Sequence, residues 1–406
     1  MMGHPQVYCR VLTDILIEEG HQIVIAGSGE ADPWPLEFSD LLPLVNRSQV
    51  WFENTRLRSA RNEAYLSAEE LRTLQKDFRI ESTLFVEGDR FSEQFRRIAE
   101  GDAPRLIGRN SSIFALTSKW CPGEDGNTGE KLPWFGPTLR NKLGCLKRAV
   151  LHRKDSERYF YETVLMRKRV IDSFIVKDER ILERYGDFVN WMPEIYRVFN
   201  DEAVLEKGPD WDQFAEPIKK YIQKAGAENV LLYFGTGTWY KGYDYFLKLA
   251  ELDPTTYALH AGASEYREPS KPMAFDTADL RAKLRAEGRL FETNGFVESP
   301  ALVELLFNSI ERFVSTHRLT LSSGTMLQAL DAGKPVLVPG TGLVGWRTER
   351  FGLGKTYNYL DEKELARVWA EFRAEPVENY QEQIKRYMER FSRDAVRTFF
   401  LKQLCG

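Results

Sequence analysis

Cysteine is scarce in this chain: Cys9, Cys121, Cys145 and Cys405 are the four in 406 residues, and none stands at metal-ligand spacing. Such a scatter argues against a disulfide framework and a cysteine-based zinc site, and fits reduced thiols in a cytoplasmic protein. An excess of one charge is missing too. With 56 basic and 60 acidic side chains the formal net charge is −4. No global field draws the chain to nucleic acid, and no basic stripe accompanies a base-stacking motif. Apolar runs are all too short to span a bilayer, and Met1-Met2-Gly3-His4 leads directly into an amphipathic pattern rather than a signal peptide. Internal repeats and low-complexity tracts are absent.

What is present is an alternation of short apolar runs with helical patterns. A chain of this length with 43% hydrophobic residues can bury two cores, and length favours two or three domains. Pro5 to Glu19 reads as a helix and Gln22 to Ala26 as a strand ending in Gly27-Ser28-Gly29. A parallel α/β domain normally begins with a strand, so the first strand of this N-terminal domain is expected to be missing or to lie upstream. Thr83 to Val86, Ile113 to Thr117 and Ser173 to Val176 are further strand candidates, separated by helical patterns such as Ser67 to Lys76 and Arg158 to Arg169. The expected domains are 1–199, a polar linker 200–216 holding Gly208-Pro209, a second α/β domain 217–376, and terminal helical segment 377–406.

The strongest local signal is Thr320 to Gly340, where a small-residue turn opens a short helix that Gly333 stops before an apolar strand. The first N–H groups of a helix have no internal partner, and its dipole favours negative charge there. Gly324 admits a diphosphate without a Cβ in the way, and Ser322, Ser323 and Thr325 add hydroxyls. Thr325 and Gln328 also have the spacing of a capping box, which needs no ligand. Upstream, the apolar run Val230 to Phe234 meets Gly235-Thr236-Gly237-Thr238-Trp239-Tyr240-Lys241-Gly242 and then a helical pattern. Such a strand-to-helix loop lies at the carboxyl edge of a parallel sheet, where ligands bind, and Lys241 carries a point charge suited to phosphate.

These two segments together resemble the nucleotide-sugar-binding half of GT-B glycosyltransferases, particularly bacterial polysaccharide enzymes of the family 4 type. The resemblance covers Asn229 to Tyr357 well and the first half only loosely. It implies an α/β chain of two Rossmann-like domains facing across a cleft, with the C-terminal helix of 377–406 crossing back to the first domain and with Gly235, Thr236, Lys241 and Ser322 to Thr325 gripping the donor diphosphate. It also implies that Phe296 and Val297 of Gly295-Phe296-Val297 border the base and that Gln328 meets the ribose. Many family members carry two glutamates eight residues apart where this chain has Thr320 and Gln328, so stereochemical outcome does not transfer. The implied activity moves a sugar from a nucleotide diphosphate donor to a glycan or lipid-linked glycan, with no metal and no further cofactor. A nucleotide-sugar 2-epimerase and a non-catalytic nucleotide-binding relative are the alternatives.

For the acceptor side, His4 stands at the turn before the first helix, and Glu87 and Asp89 follow the strand at Thr83 to Val86. Each is a candidate general base, although a frayed histidine and a solvated acidic turn account for the same residues. His260, Arg347 and Arg350 are secondary candidates on the donor side. Gly354-Lys355-Thr356 imitates the end of a P-loop without its first glycine, and Asp210-Trp211-Asp212 imitates a metal-binding motif without a strand before it. In 131–169, Trp134, Phe135, Leu139 and Leu143 mix with Arg140, Lys142, Lys147, Arg148, Arg153 and Lys154. That composition suits peripheral contact with the inner face of a membrane, worth about 1 kcal/mol per basic residue, while a solvated helix pair beside a loop accounts for the same residues.

Overall fold

The computed structural model describes residues 4–28, 50–55, 67–86, 91–114, 167–186, 189–196, 207–263, 273–297, 299–318, 322–358 and 361–405. The chain divides into two compact units, one built from the first half together with Phe391–Gly406, the other on Asn200–Arg390.

In the first unit, helix α1 (His4–Glu18) leads to the parallel pair β1 (Ile23–Ser28) and β2 (Val50–Thr55). Then come α2 (Ala68–Asp77), β3 (Ser82–Phe85), α3 (Ser92–Glu100), β4 (Arg109–Phe114), β5 (Ser173–Val176), α4 (Arg180–Tyr185) and β6 (Asn190–Trp191). Strands β3, β4, β5 and β6 pair in that order and all run parallel. Alternation along β5 explains how both faces are covered. Phe174 and Val176 pack with Leu71 of α2 and Phe95 of α3, whereas Ile175 joins Tyr8, Val11 and Ile15 of α1 on the other side. Ser67 caps α2 in a reciprocal box with Glu70, so this helix starts where the sequence indicates.

The second unit opens with α5 (Pro209–Ala225), then β7 (Val230–Phe234), α6 (Tyr243–Leu252), β8 (Tyr257–Ala261), α7 (Thr277–Ala286) and β9 (Leu290–Glu292). It continues through α8 (Pro300–Asn308), β10 (Phe313–Val314), α9 (Gly324–Asp331), β11 (Val336–Pro339), α10 (Gly342–Phe351) and β12 (Gly354–Tyr357), and ends in α11 (Glu362–Ala374) and α12 (Glu378–Glu389). Two parallel three-stranded sheets, β7-β8-β9 and β10-β11-β12, lie side by side through β7 and β10. Read across, the order is β9-β8-β7-β10-β11-β12, which reverses between β7 and β10. In a doubly wound sheet this reversal opens a crevice at the carboxyl ends of the two central strands.

Several expectations are corrected. Gly208-Pro209 does not belong to a linker: Gly208 is the N-cap and Pro209 the first residue of α5, and Pro217 sits inside that helix. A glycine followed by a proline marks a loop and a helix start alike. Asp210 in the same first turn accepts the Ser299 N–H at 3.0 Å, which gives the Asp210-Trp211-Asp212 segment a structural task. The terminal segment 377–406 is two helices, α12 and α13 (Arg393–Cys405), and α13 packs Val396, Phe400 and Leu404 against α1 in the first unit's core. Gly354-Lys355-Thr356 forms a strand, not a phosphate loop. The basic, aromatic segment lies outside the described residues up to residue 166.

Candidate active site

The carboxyl edge of the second unit's sheets collects most of the residues singled out on the donor side. Strand β7 is buried along its whole length and delivers Gly235 to that edge. Gly235 has φ 110°, and a Cβ placed on it would lie 2.5 Å from the Lys241 Nζ. Glycine therefore allows both the backbone conformation and the lysine that folds over it. The loop stops at Gly242, with φ 66°, whose position for a Cβ is only 1.8 Å from the Thr316 carbonyl oxygen. A side chain there would force the loop after β7 away from the loop after β10.

Those two loops are tied by polar contacts. Thr316 Oγ1 donates to the Lys241 carbonyl at 3.1 Å, and the Arg318 N–H donates to the Tyr240 carbonyl at 2.8 Å. The Arg318 guanidinium reaches the Trp239 carbonyl at 2.6 Å and pairs with the buried Asp244 carboxylate at 2.6 Å, with Tyr245 and Trp239 rings beside it. A buried, bidentate-capable cation of this kind holds a loop in one shape.

Between the two loops is a small recess open to solvent. Among the described residues its polar lining comes from Tyr233, Lys241, Ser315, Thr316, His317 and Thr325, none of them a carboxylate. Thr325 belongs to the first turn of α9. The cap of that helix is Ser323, whose hydroxyl accepts the Met326 N–H at 3.3 Å and meets Thr325 Oγ1 at 2.9 Å. The expected Thr325 and Gln328 capping box is thus replaced by Ser323, and Gln328 lies half-buried in the helix interior. Ser322, Ser323 and Gly324 are half-buried beside the same helix start.

Burial pulls the Lys241 ammonium below the usual lysine range. His317 is drawn down to about 3, first by burial and then by the Lys241 charge, so its imidazole is neutral at physiological pH. Its Nδ1 lies 2.7 Å from the Ser315 hydroxyl. Neither His317 nor Arg318 was singled out from the sequence. The available signal was Ser315-Thr316-His317-Arg318 directly after an apolar run, the same strand-end position that drew attention to Lys241.

The neighbouring strand ends complete this edge. His260, at the end of β8, is buried and reaches the Gly235 carbonyl through Nε2 at 3.0 Å, with Nδ1 3.5 Å from Glu292. Glu292 also accepts from the Tyr243 hydroxyl and Arg281, each at 3.0 Å, and pairs with Arg285. Burial raises the affinity of this carboxylate for a proton, but His260, Arg281 and Arg285 outweigh it and bring its pKa to about 2. His260 thereby braces the glycine loop. After β9, Phe296 is 61% exposed whereas Val297 is buried. Thr236 is half-buried in the loop after β7. Arg347 is buried within α10 and Arg350 is exposed near its end, so both stand on a helix.

On the acceptor side, His4 is the first residue of α1. Glu87 and Asp89 lie outside the described residues. Among the described residues no group of three or more His, Cys, Asp and Glu side chains could hold a metal ion, and no helix is long and apolar enough to cross a membrane.

No protein-family model matches the chain, and no curated protein matches it in sequence. Solved structures do match over nearly its whole length. Anabaena Alr3699/HepE, in complex with UDP, is 11% identical with a TM-score of 0.58, covering 98% of this chain and 95% of its own. A glycosyltransferase from Rickettsia africae is 12% identical with a TM-score of 0.57, covering 98% and 93%. Sucrose-phosphate synthase from Thermosynechococcus elongatus is 12% identical with a TM-score of 0.56, covering 98% and 91%. With its parallel sheets, its reversed strand order and these neighbours, the chain has the GT-B fold of glycosyltransferases.

Proposed function

We propose that this protein is a glycosyltransferase that moves a sugar from a nucleotide diphosphate sugar to a hydroxyl of a glycan or lipid-linked glycan. The observation that carries the reading is the meeting of Lys241 and the Thr325 helix start in one pocket at the strand reversal. Breaking the bond between the sugar's anomeric carbon and the diphosphate leaves an anionic leaving group. The Lys241 ammonium and the start of α9 offset that charge, and Gly235, Thr236 and Ser322 to Gly324 let the phosphates come close. Gln328 meets the ribose, while Phe296 and Val297 border the base. The acceptor oxygen bonds to the anomeric carbon and gives its proton to a base, for which His4, Glu87 and Asp89 are the candidates. This chemistry asks for no metal and no further cofactor. The neighbouring structures include one with bound UDP, which favours a nucleotide donor and gives a 2-epimerase no support.

The test is acceptor-dependent turnover with a panel of nucleotide sugars. Free nucleoside diphosphate released only when a glycan acceptor is present supports the transferase. Interconversion of the sugar without an acceptor would instead mark an epimerase, and nucleotide binding without turnover a binding protein. A peripheral membrane role for 131–169 is tested separately by cosedimentation with anionic liposomes, which neutralising Arg140, Lys142, Lys147 and Arg148 should abolish.

A further inference from the structure

His260 stands behind the glycine loop, at the ends of β8 and β9, and both of its ring nitrogens face oxygen. The side chain is 1% exposed. Nε2 lies 3.0 Å from the Gly235 carbonyl, an oxygen that only accepts, so the hydrogen of this contact is on Nε2. Nδ1 is then a bare lone pair. It is buried, has no hydrogen-bond partner among the described residues, and lies 3.5 Å from Oε1 of Glu292. With its pKa brought to about 2, Glu292 is ionised at neutral pH. A lone pair at that distance repels a carboxylate, and a proton placed on Nδ1 turns the repulsion into an ion pair. Other groups surround the ring. Tyr233 of β7 and Tyr243 of α6 pack against it at 5.2 and 4.8 Å between centroids, and burial raises both phenols, so they stay neutral. Arg281 and Arg285 of α7 share the Glu292 carboxylate, and Lys241 lies against Gly235.

We propose that His260 is a proton-operated clasp on the glycine loop: binding of an anionic donor draws a proton onto Nδ1, the ring closes on Glu292, and Nε2–H holds the Gly235 carbonyl more firmly. The inference rests on the transferase reading and adds to it a coupling between donor binding and proton uptake. Its sign follows from the charges. In the free protein Lys241, Arg281 and Arg285 disfavour a cationic ring, and Glu292 favours one. A bound diphosphate offsets Lys241 and brings negative charge beside Gly235, which tips the balance towards the imidazolium. The bond from an imidazolium to the carbonyl is charge-assisted and stronger than one from the neutral ring. Linkage is reciprocal, so donor affinity rises as pH falls through the range where an imidazole gains its second proton. That proton comes from solvent and stays on the ring, outside the transfer step. His260 is a positioning residue in this scheme, because it acts through Gly235.

Calorimetric titration of the full-length protein with UDP, GDP, ADP and inorganic pyrophosphate, repeated in two buffers of different ionisation enthalpy, tests the proposal. With the best-bound probe, wild type should take up a fraction of a proton more than H260Q, the probe's own protons cancelling in the comparison. The H260Q amide can donate to the Gly235 carbonyl but takes no proton. Its affinity should therefore match wild type at about pH 8 and trail it by about tenfold at about pH 6, within the limit of about tenfold per pH unit for one linked proton. Nitrogen-15 spectra of the wild-type imidazole should show Nδ1 bare in the free protein at about pH 8 and protonated with the probe bound at about pH 6. That readout does not depend on any variant folding. Proton uptake equal in wild type and H260Q, or an Nδ1 that the probe leaves unchanged at both pH values, would overturn the clasp while the transferase reading stands. A wild type that binds none of the four probes would overturn the transferase reading and this inference with it.

Discussion

At the scale of single residues, Lys241 is where position and charge coincide. Its ammonium is desolvated by burial and rests against Gly235, an arrangement that a phosphate would reward. K241M keeps most of the side chain's length and removes only the charge. We expect it to raise the dissociation constant for a nucleoside diphosphate about tenfold to a hundredfold, read by calorimetry, with thermal stability unchanged or slightly increased. Glu292 makes the opposite case, a charge kept for the scaffold. Its folded pKa of about 2 lies below the ordinary glutamate value, so its contribution is complete at neutral pH and is lost as pH falls from about 4.5 through 2. E292Q should therefore be less stable than wild type at pH 7 by roughly 3 kcal/mol, with the gap closing across that acid range in urea unfolding. Lys241 was legible in the sequence because a lysine ends a glycine-rich loop after a strand. His317 and Arg318 were not, because their meaning comes from a loop seventy-odd positions away that only the folded chain sets beside them.

At the scale of elements, the loops after β7 and β10 behave as one piece. Their junction depends on Gly242, where φ is positive and a Cβ would collide with the Thr316 carbonyl. G242A should lose nucleotide binding and lower the midpoint of thermal unfolding by several degrees, in line with a cost of about 2 to 3 kcal/mol for strain at such a site. A second change at Lys241 should then add little to the loss of binding, since both act on the same loop. Strand β5 (Ser173–Val176) and strand β7 (Val230–Phe234) coincide with their sequence-based bounds, because each centres on an apolar run flanked by polar residues or glycine. Strand β4 did not: it starts at Arg109, before the run Ile113 to Thr117, since Asn110, Ser111 and Ser112 are buried polar residues that no hydropathy pattern marks. Asn110 shows why they are tolerated. Its side chain donates to the Ile107 and Gly108 carbonyls and accepts from Gln75, so burying it leaves little polar capacity unmet.

At the scale of the whole molecule, two separately packed cores share one chain, and the last helix belongs with the first half. Phe400 is fully buried against α1 and the β4 and β5 residues Ile113 and Ile175. F400A should cost that unit about 3 to 5 kcal/mol. Native-state hydrogen exchange should show the loss in β4 and β5 and spare β7 and β8, whose core is separate; uniform loss across all four strands would argue for a single cooperative unit. The alternation of strand and helix made the α/β class readable from the sequence, whereas the return of α13 to the first unit is not carried by any local pattern in Arg393–Cys405.

The reversal of strand order between β7 and β10 has one more consequence. Helices that depart in opposite directions from two adjacent strands leave a notch between them whatever side chains they bear, so the docking place is inherited from the path of the chain. Evolution can then rewrite nearly every residue around the notch and still keep somewhere for a ligand to sit. Neighbours that agree with this chain at little more than one position in ten are what such freedom leaves behind.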